Sequence, residues 1–174
     1  MIGETIMNSA SVQDAYSKIE SELMNENFFA TVYSLDSHDQ GMGCVYFIEL
    51  KQRYPNSSEV KLAVLWKWWQ RQLAKEGLHG LPEDGNDGEY LFNIFKELVP
   101  TWKFREISNS DRARVQNILN EMTEFIEDKK MLNEVTNKIN TFNNGLVLDD
   151  DWNEFTLISS ENSNMRLFNW NTDA

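Results

Sequence analysis

The chain has 174 residues, a net charge of −12, 41% apolar residues and 12% aromatics. That length suits one domain burying roughly 70% of the surface of its unfolded chain, and the aromatic content excludes a disordered composition. The acidic balance disfavours direct binding to nucleic acid or anionic lipid, and the single Cys44 excludes an internal disulfide.

The first residues, Met1 to Ser11, lack a cation ahead of an apolar core, so no signal peptide is expected. No run approaches the roughly 18 apolar residues of a membrane span. A soluble, cytoplasmic chain of one domain, 1–174, is the resulting expectation, with 1–8 and 171–174 frayed. The charge is uneven. Residues 1–50 carry net −7, residues 51–110 net +1 and residues 111–174 net −6.

Asn8, Ser9 and Ser11 offer N-caps for a helix whose apolar positions are Val12, Ala15, Tyr16, Ile19 and Leu23. Phe28, Phe29, Val32, Tyr33 and Leu35 predict a short second helix, and 36–41 a turn. Met42 to Tyr54 is compatible with strand or helix. Phe47, Leu50 and Tyr54 share a helical face, which favours helix, and Pro55 ends the element either way.

Asn56-Ser57-Ser58-Glu59 is a capping signal for a helix running to Glu76, with Gly77 as its stop. Leu62, Leu65, Trp66, Trp69 and Leu73 form its core stripe. Residues 78–88 read as a loop. A helix follows over 89–98 with Leu91, Ile94, Phe95 and Leu98 inward. Trp102 to Ile107 alternates as a short strand.

Ser108 to Asp111 caps a long periodic stretch. Val115, Ile118, Met122, Phe125, Leu132 and Ile139 lie nearly on a heptad up to Asn143-Asn144-Gly145. It predicts a long helix over about 110–142, or a hairpin folded near Asp128. Runs at 154–158 and 165–170, around a turn at 159–164, predict a small C-terminal β-hairpin. The expected class is mostly α (α+β), a single helical domain with that hairpin.

Two clusters stand out as candidate partner-binding surfaces. Trp68 falls off the core stripe, flanked by Lys67 and Arg71; it either packs against a neighbouring helix or loop, or anchors a partner, since Trp and Arg are enriched where interfaces concentrate their binding energy. Asp149-Asp150-Asp151-Trp152, with Glu124, Glu127 and Asp128 before it, is the densest negative patch.

Enzymatic and metal chemistry find little footing. Residues 84–89 fail the calcium-loop count, since Glu89 and Phe95 fall where glycine and glutamate are required. His38 and His79 lie in predicted loops without partners at ligand spacing, and Cys44 sits in an apolar run as a buried thiol. Nucleophile elbow, P-loop, dinucleotide fingerprint and zinc-deaminase signature are all absent. No catalytic residue, metal or cofactor is expected.

The leading expectation is an acidic interaction protein that binds and blocks a basic macromolecular partner. The partner would be a nuclease, toxin or other nucleic-acid-handling protein, and the chain would act as an immunity protein, antitoxin or phage-encoded inhibitor does. An adaptor subunit or homodimer docking through the long helix is the second expectation, and a carboxylate-dependent enzyme the third.

Overall fold

The computed structural model describes residues 14, 15, 17–20, 30–37, 43–51, 57–75, 87–142, 144–150, 153–161 and 164–172. Six strands form one sheet: β1 (Ala30–Asp36), β2 (Cys44–Lys51), β3 (Arg105–Glu106), β4 (Gly145–Asp150), β5 (Glu154–Glu161) and β6 (Asn164–Asn171). Their order is β1-β2-β6-β5-β4-β3, and every neighbouring pair is antiparallel. The longest helices are α1 (Ser57–Lys75), α2 (Asp87–Leu98), α3 (Asn109–Met122) and α4 (Lys129–Ile139). Residues 14, 15 and 17–20 are also helical.

Helices cover both faces of the sheet. On one face Ile48, Leu50, Ile158, Met165 and Leu167 meet α1, α2 and the helical residues Ala15 and Ile19. On the other, Val45, Phe47, Val147, Leu157 and Phe168 meet α3 and α4. Alternate residues of β2 and β6 therefore enter two separate cores, as the period of two along a strand dictates.

This layout corrects the mostly helical expectation: the C-terminal hairpin is present, but as two strands of a six-stranded sheet. The expected helices at 28–35 and 42–54 are β1 and β2. A strand buried on both faces loses the polar alternation that marks it, and reads as a continuous apolar run. Cys44 to Leu50 is such a run, with even Glu49 only 8% exposed. Asn171, expected to fray, pairs with both Cys44 and Glu154. Positions 1–8, 173 and 174 lie outside the described residues.

Of the two forms expected for 110–142, one long helix or a hairpin folded near Asp128, the structure has the hairpin. Its heptad breaks at 123–128, where Asp128 caps α4 by accepting from the Met131 N–H at 2.8 Å. Folding there lets both helices lay their apolar faces on the sheet. Phe125, expected inward, is 37% exposed in the turn. The α1 and α2 helices lie close to where capping and periodicity place them, with Trp66 buried and Trp69 half-buried. No helix among the described residues is long and apolar enough to cross a membrane.

Two buried ionic clusters pin this second helical layer. At the start of α3, Asp111 receives two bonds from Arg105 at 2.7 and 2.8 Å and closes a capping box with Ser108. Glu49 of β2 accepts from Lys138 of α4 at 2.7 Å and from Arg166 of β6 at 2.6 Å. Arg166 also donates to Thr141 Oγ1 at 2.6 Å and to the Lys138 carbonyl at 3.1 Å.

Arg105, with Ser108, holds the Asp111 carboxyl well below the usual range against the opposing effect of burial. Burial pushes Glu49 up, but the bonds from Lys138 and Arg166 outweigh it and leave its pKa lowered. Both acids therefore bind protons more readily in the unfolded chain. Their contribution is complete above the ordinary values of 3.8 and 4.5, and is lost as pH falls below them. Urea midpoints should fall between pH 6 and pH 3, and an Asp111→Asn variant should show a shallower fall than the parent. Equal slopes for the two would contradict the assignment.

Candidate partner-binding surface

The register of the sheet brings several acidic residues to one end. Asp36 lies opposite Cys44, Cys44 opposite Asn171, and Asn171 opposite Glu154, while Asp150 pairs with Phe155. The strand termini at this end thus carry Asp36, Glu154, Asp149 and Asp150. The Val147–Asp149 register shift is a bulge, a device that re-aims side chains at the end of a ladder.

The helical hairpin adds to the same end. Gln116 of α3 bonds Asn140 beyond α4, and the Arg112 Nε donates to the Phe142 carbonyl at 3.3 Å. The start of α3 therefore lies beside the end of α4, and their turn lies at the far side. On α4, the Glu134 carboxylate accepts from the Tyr33 hydroxyl at 2.6 Å, and Lys138 bonds Glu49. Tyr33 pairs with Phe47, so higher numbers on α4 lie over higher numbers on β2. Running α4 backwards leads toward Cys44 and Asp36. The turn 123–128 therefore lies toward the acidic strand termini.

That turn presents exposed Glu124, Glu127 and Asp128 around Phe125, and Glu121 is exposed in the last turn of α3 beside them. Lys129 and Lys130 are exposed beside them, with Lys129 donating to the Thr123 carbonyl. The guanidinium of Arg114 stands 4.8 Å from the Phe155 ring centroid and 5.6 Å from that of Trp170, so this cation is held against aromatic faces. Burial first, and then the bond to Glu134, pushes the Tyr33 hydroxyl up to about 12, so it stays a neutral donor at ordinary pH.

The expected tryptophan anchor is placed differently. Trp68 is 6% exposed and packs edge-on against Trp102, with ring centroids 5.6 Å apart. It belongs to the core under α1, as the packing reading has it, and the reading of Trp68 as a partner anchor beside Lys67 and Arg71 is corrected. A helical wheel assigns one buried stripe, but Trp102, which follows α2, covers a second side. Lys67 is half-buried; Arg71 lies within α1, its side chain outside the described residues. Asp149 and Asp150 end β4, while Asp151, Trp152, His38 and His79 lie outside the described residues.

Glu121 and Phe125 were missed as surface residues. The signal for Phe125 was the acidic pair Glu124 and Glu127 around it, which the heptad pattern overrode. Cys44 is fully buried and its Sγ–H points to Asn171 Oδ1 at 3.1 Å. No group of three or more metal-ligating side chains occurs among the described residues. The chain matches no protein-family model, no curated protein and no solved structure.

Proposed function

We propose that this protein binds a basic macromolecular partner through its acidic end, and that occupying the partner's cationic surface is its activity. The reading rests on one observation: the exposed acidic residues of 121–128 lie toward the same end of the sheet as the strand positions Asp36, Asp149, Asp150 and Glu154, far from them in sequence. Exposed charges of one sign steer an oppositely charged protein, and Phe125 supplies an apolar contact within them. Immunity proteins, antitoxins and phage-encoded inhibitors of nucleic-acid-handling proteins would use such a surface, because it mimics the charge of the polyanion that their target binds. The rival reading, docking through one long helix, is less favoured because α3 and α4 are separate helices that both face the sheet.

The test is a comparative capture from extracts of the source cells. The parent chain and a Glu121→Lys, Glu124→Lys, Glu127→Lys variant are immobilised, and bound proteins are identified by mass spectrometry. The parent should retain a basic protein at low salt that the variant does not. The association rate of the purified pair should fall steeply with salt, since exposed charges are screened within about 8 Å at physiological ionic strength. Equal retention by both chains, or an association rate independent of salt, would overturn the reading.

A further inference from the structure

β1 forms one edge of the sheet, and among the described residues only β2 pairs with it. The ladder shows which of its peptide groups face outward. The Ser37 N–H donates to the Gly43 carbonyl at 2.9 Å, and these two residues continue the register in which Asp36 lies opposite Cys44. In an antiparallel pair, positions that exchange hydrogen bonds alternate with positions that do not. Counting back from Ser37 in steps of two, Leu35, Tyr33 and Thr31 bond to β2. Among the positions between, Ala30, Val32 and Ser34 direct both N–H and C=O away from β2, along the open edge. No described residue hydrogen-bonds to these outward groups. Thr31 and Ser34 are exposed, and Val32 is half-buried.

An unpaired strand edge is a template for another strand, and folded proteins guard such edges with lysine, proline, bulges or shortness. The two edges of this sheet differ in that respect. β3, at the far edge, is only two residues long. β1 has seven residues, keeps an unbroken register with β2, and carries no proline and no charge before Asp36.

The strand is also complementary to itself. An antiparallel pair of β1 strands centred on Val32 sets Val32 opposite Val32 of a second copy, and Ala30 opposite its Ser34. All of these are outward positions, so each pair exchanges two backbone hydrogen bonds. Between them Thr31 meets Tyr33 of the other copy, at the positions where side chains lie closest, and a β-branched residue facing an aromatic one favours pairing. The Asp36 residues fall at opposite outer ends, about 27 Å apart at roughly 3.4 Å per residue. That is well beyond the screening length of about 8 Å at physiological ionic strength. Two acidic chains thus meet along an uncharged strand, which offers a basic segment no charge to hold it. With β3 too short to receive β1, the association closes as a two-fold pair instead of growing into a fibre.

We infer that β1 is the interface of a homodimer in which two copies join their sheets edge to edge. The strands run in opposite directions, so the two acidic ends point apart and each stays open to its own partner. Two chains of net −12 repel, so added salt tightens the pair, the reverse of its effect on a basic partner.

The test is sedimentation of the full chain over a range of concentrations, with amide exchange followed by NMR. A dimer should form by about 1 mM protein, the scale of a weak association, and should tighten with salt. As it forms, exchange should slow at Val32 and Ser34, while Thr31 and Tyr33, already bonded to β2, stay as they are. Ser34→Pro removes an outward N–H and no bond to β2, so its urea midpoint should stay near that of the parent. Dimerisation should weaken at least about tenfold, since each pair loses two hydrogen bonds by symmetry. A chain that stays monomeric to about 1 mM would overturn the inference. A dimer that Ser34→Pro leaves intact, or that salt loosens, would overturn it too. Should the proline variant fail to fold, the exchange pattern of the parent decides alone: rates at Val32 and Ser34 that ignore concentration would rule the interface out.

Discussion

Replacing Trp66 by alanine should lower the unfolding free energy by about 3–5 kcal/mol, the usual cost of truncating a buried tryptophan. Trp66 is 1% exposed and stands edge-on to Phe92 and Phe95, with centroids 5.2 and 5.0 Å away, and 5.9 Å from Trp69. It is the centre of the aromatic cluster that joins α1 to α2. A domain of this size typically has about 5–15 kcal/mol in total, so the variant stands near the limit of folding. Trp68 gives a sharper companion. Its Nε1 is buried with no hydrogen-bond partner among the described residues. Trp68→Phe removes that unsatisfied donor along with some volume, so it should cost far less than Trp68→Ala. Chemical denaturation of the three variants checks the ranking. A Trp66→Ala variant as stable as the parent would contradict the two-sided core.

A comparable loss, about 3–5 kcal/mol, should follow Glu49→Ala, because it removes the carboxylate paired with the buried Arg166 guanidinium. The Arg166 side chain is 10% exposed, so water cannot replace the lost carboxylate, whereas Lys138, at 22%, can turn outward. The double variant Glu49→Met, Arg166→Met should recover much of the loss, since apolar replacement of a whole buried pair is often neutral. Both stabilities are read from urea denaturation at neutral pH. A single variant within about 1 kcal/mol of the parent, the range of a surface change, would place this cluster outside the structural core.

These two sites mark the limit of what could be read from the sequence. Trp66 was legible because α1 carries a complete stripe between a polar cap and a glycine, all within one short window. Glu49 was not. Its partners lie on α4 and β6, and nothing near residue 49 announces them. The same holds for β1 and β2: their apolar residues face two helical layers, so the alternation that reveals a half-buried strand is missing. The run Leu146-Val147-Leu148 was too short to stand out before three aspartates, yet it is the middle of β4. For the candidate surface, each acidic segment was visible in the composition. Their meeting at one end was not, because it depends on how the helical hairpin and the strand termini are laid together on the sheet, which no local window contains. The open edge of β1 was hidden with the strand itself, which reads as helix in the local pattern.

Hydrogen exchange of the chain, free and bound to its captured basic partner, tests the central claim most directly. Slowed exchange in 120–129 and 148–155 on binding, with 158–166 unchanged, is the predicted footprint. Protection centred on α2, with the acidic turn exchanging as in the free chain, would contradict it.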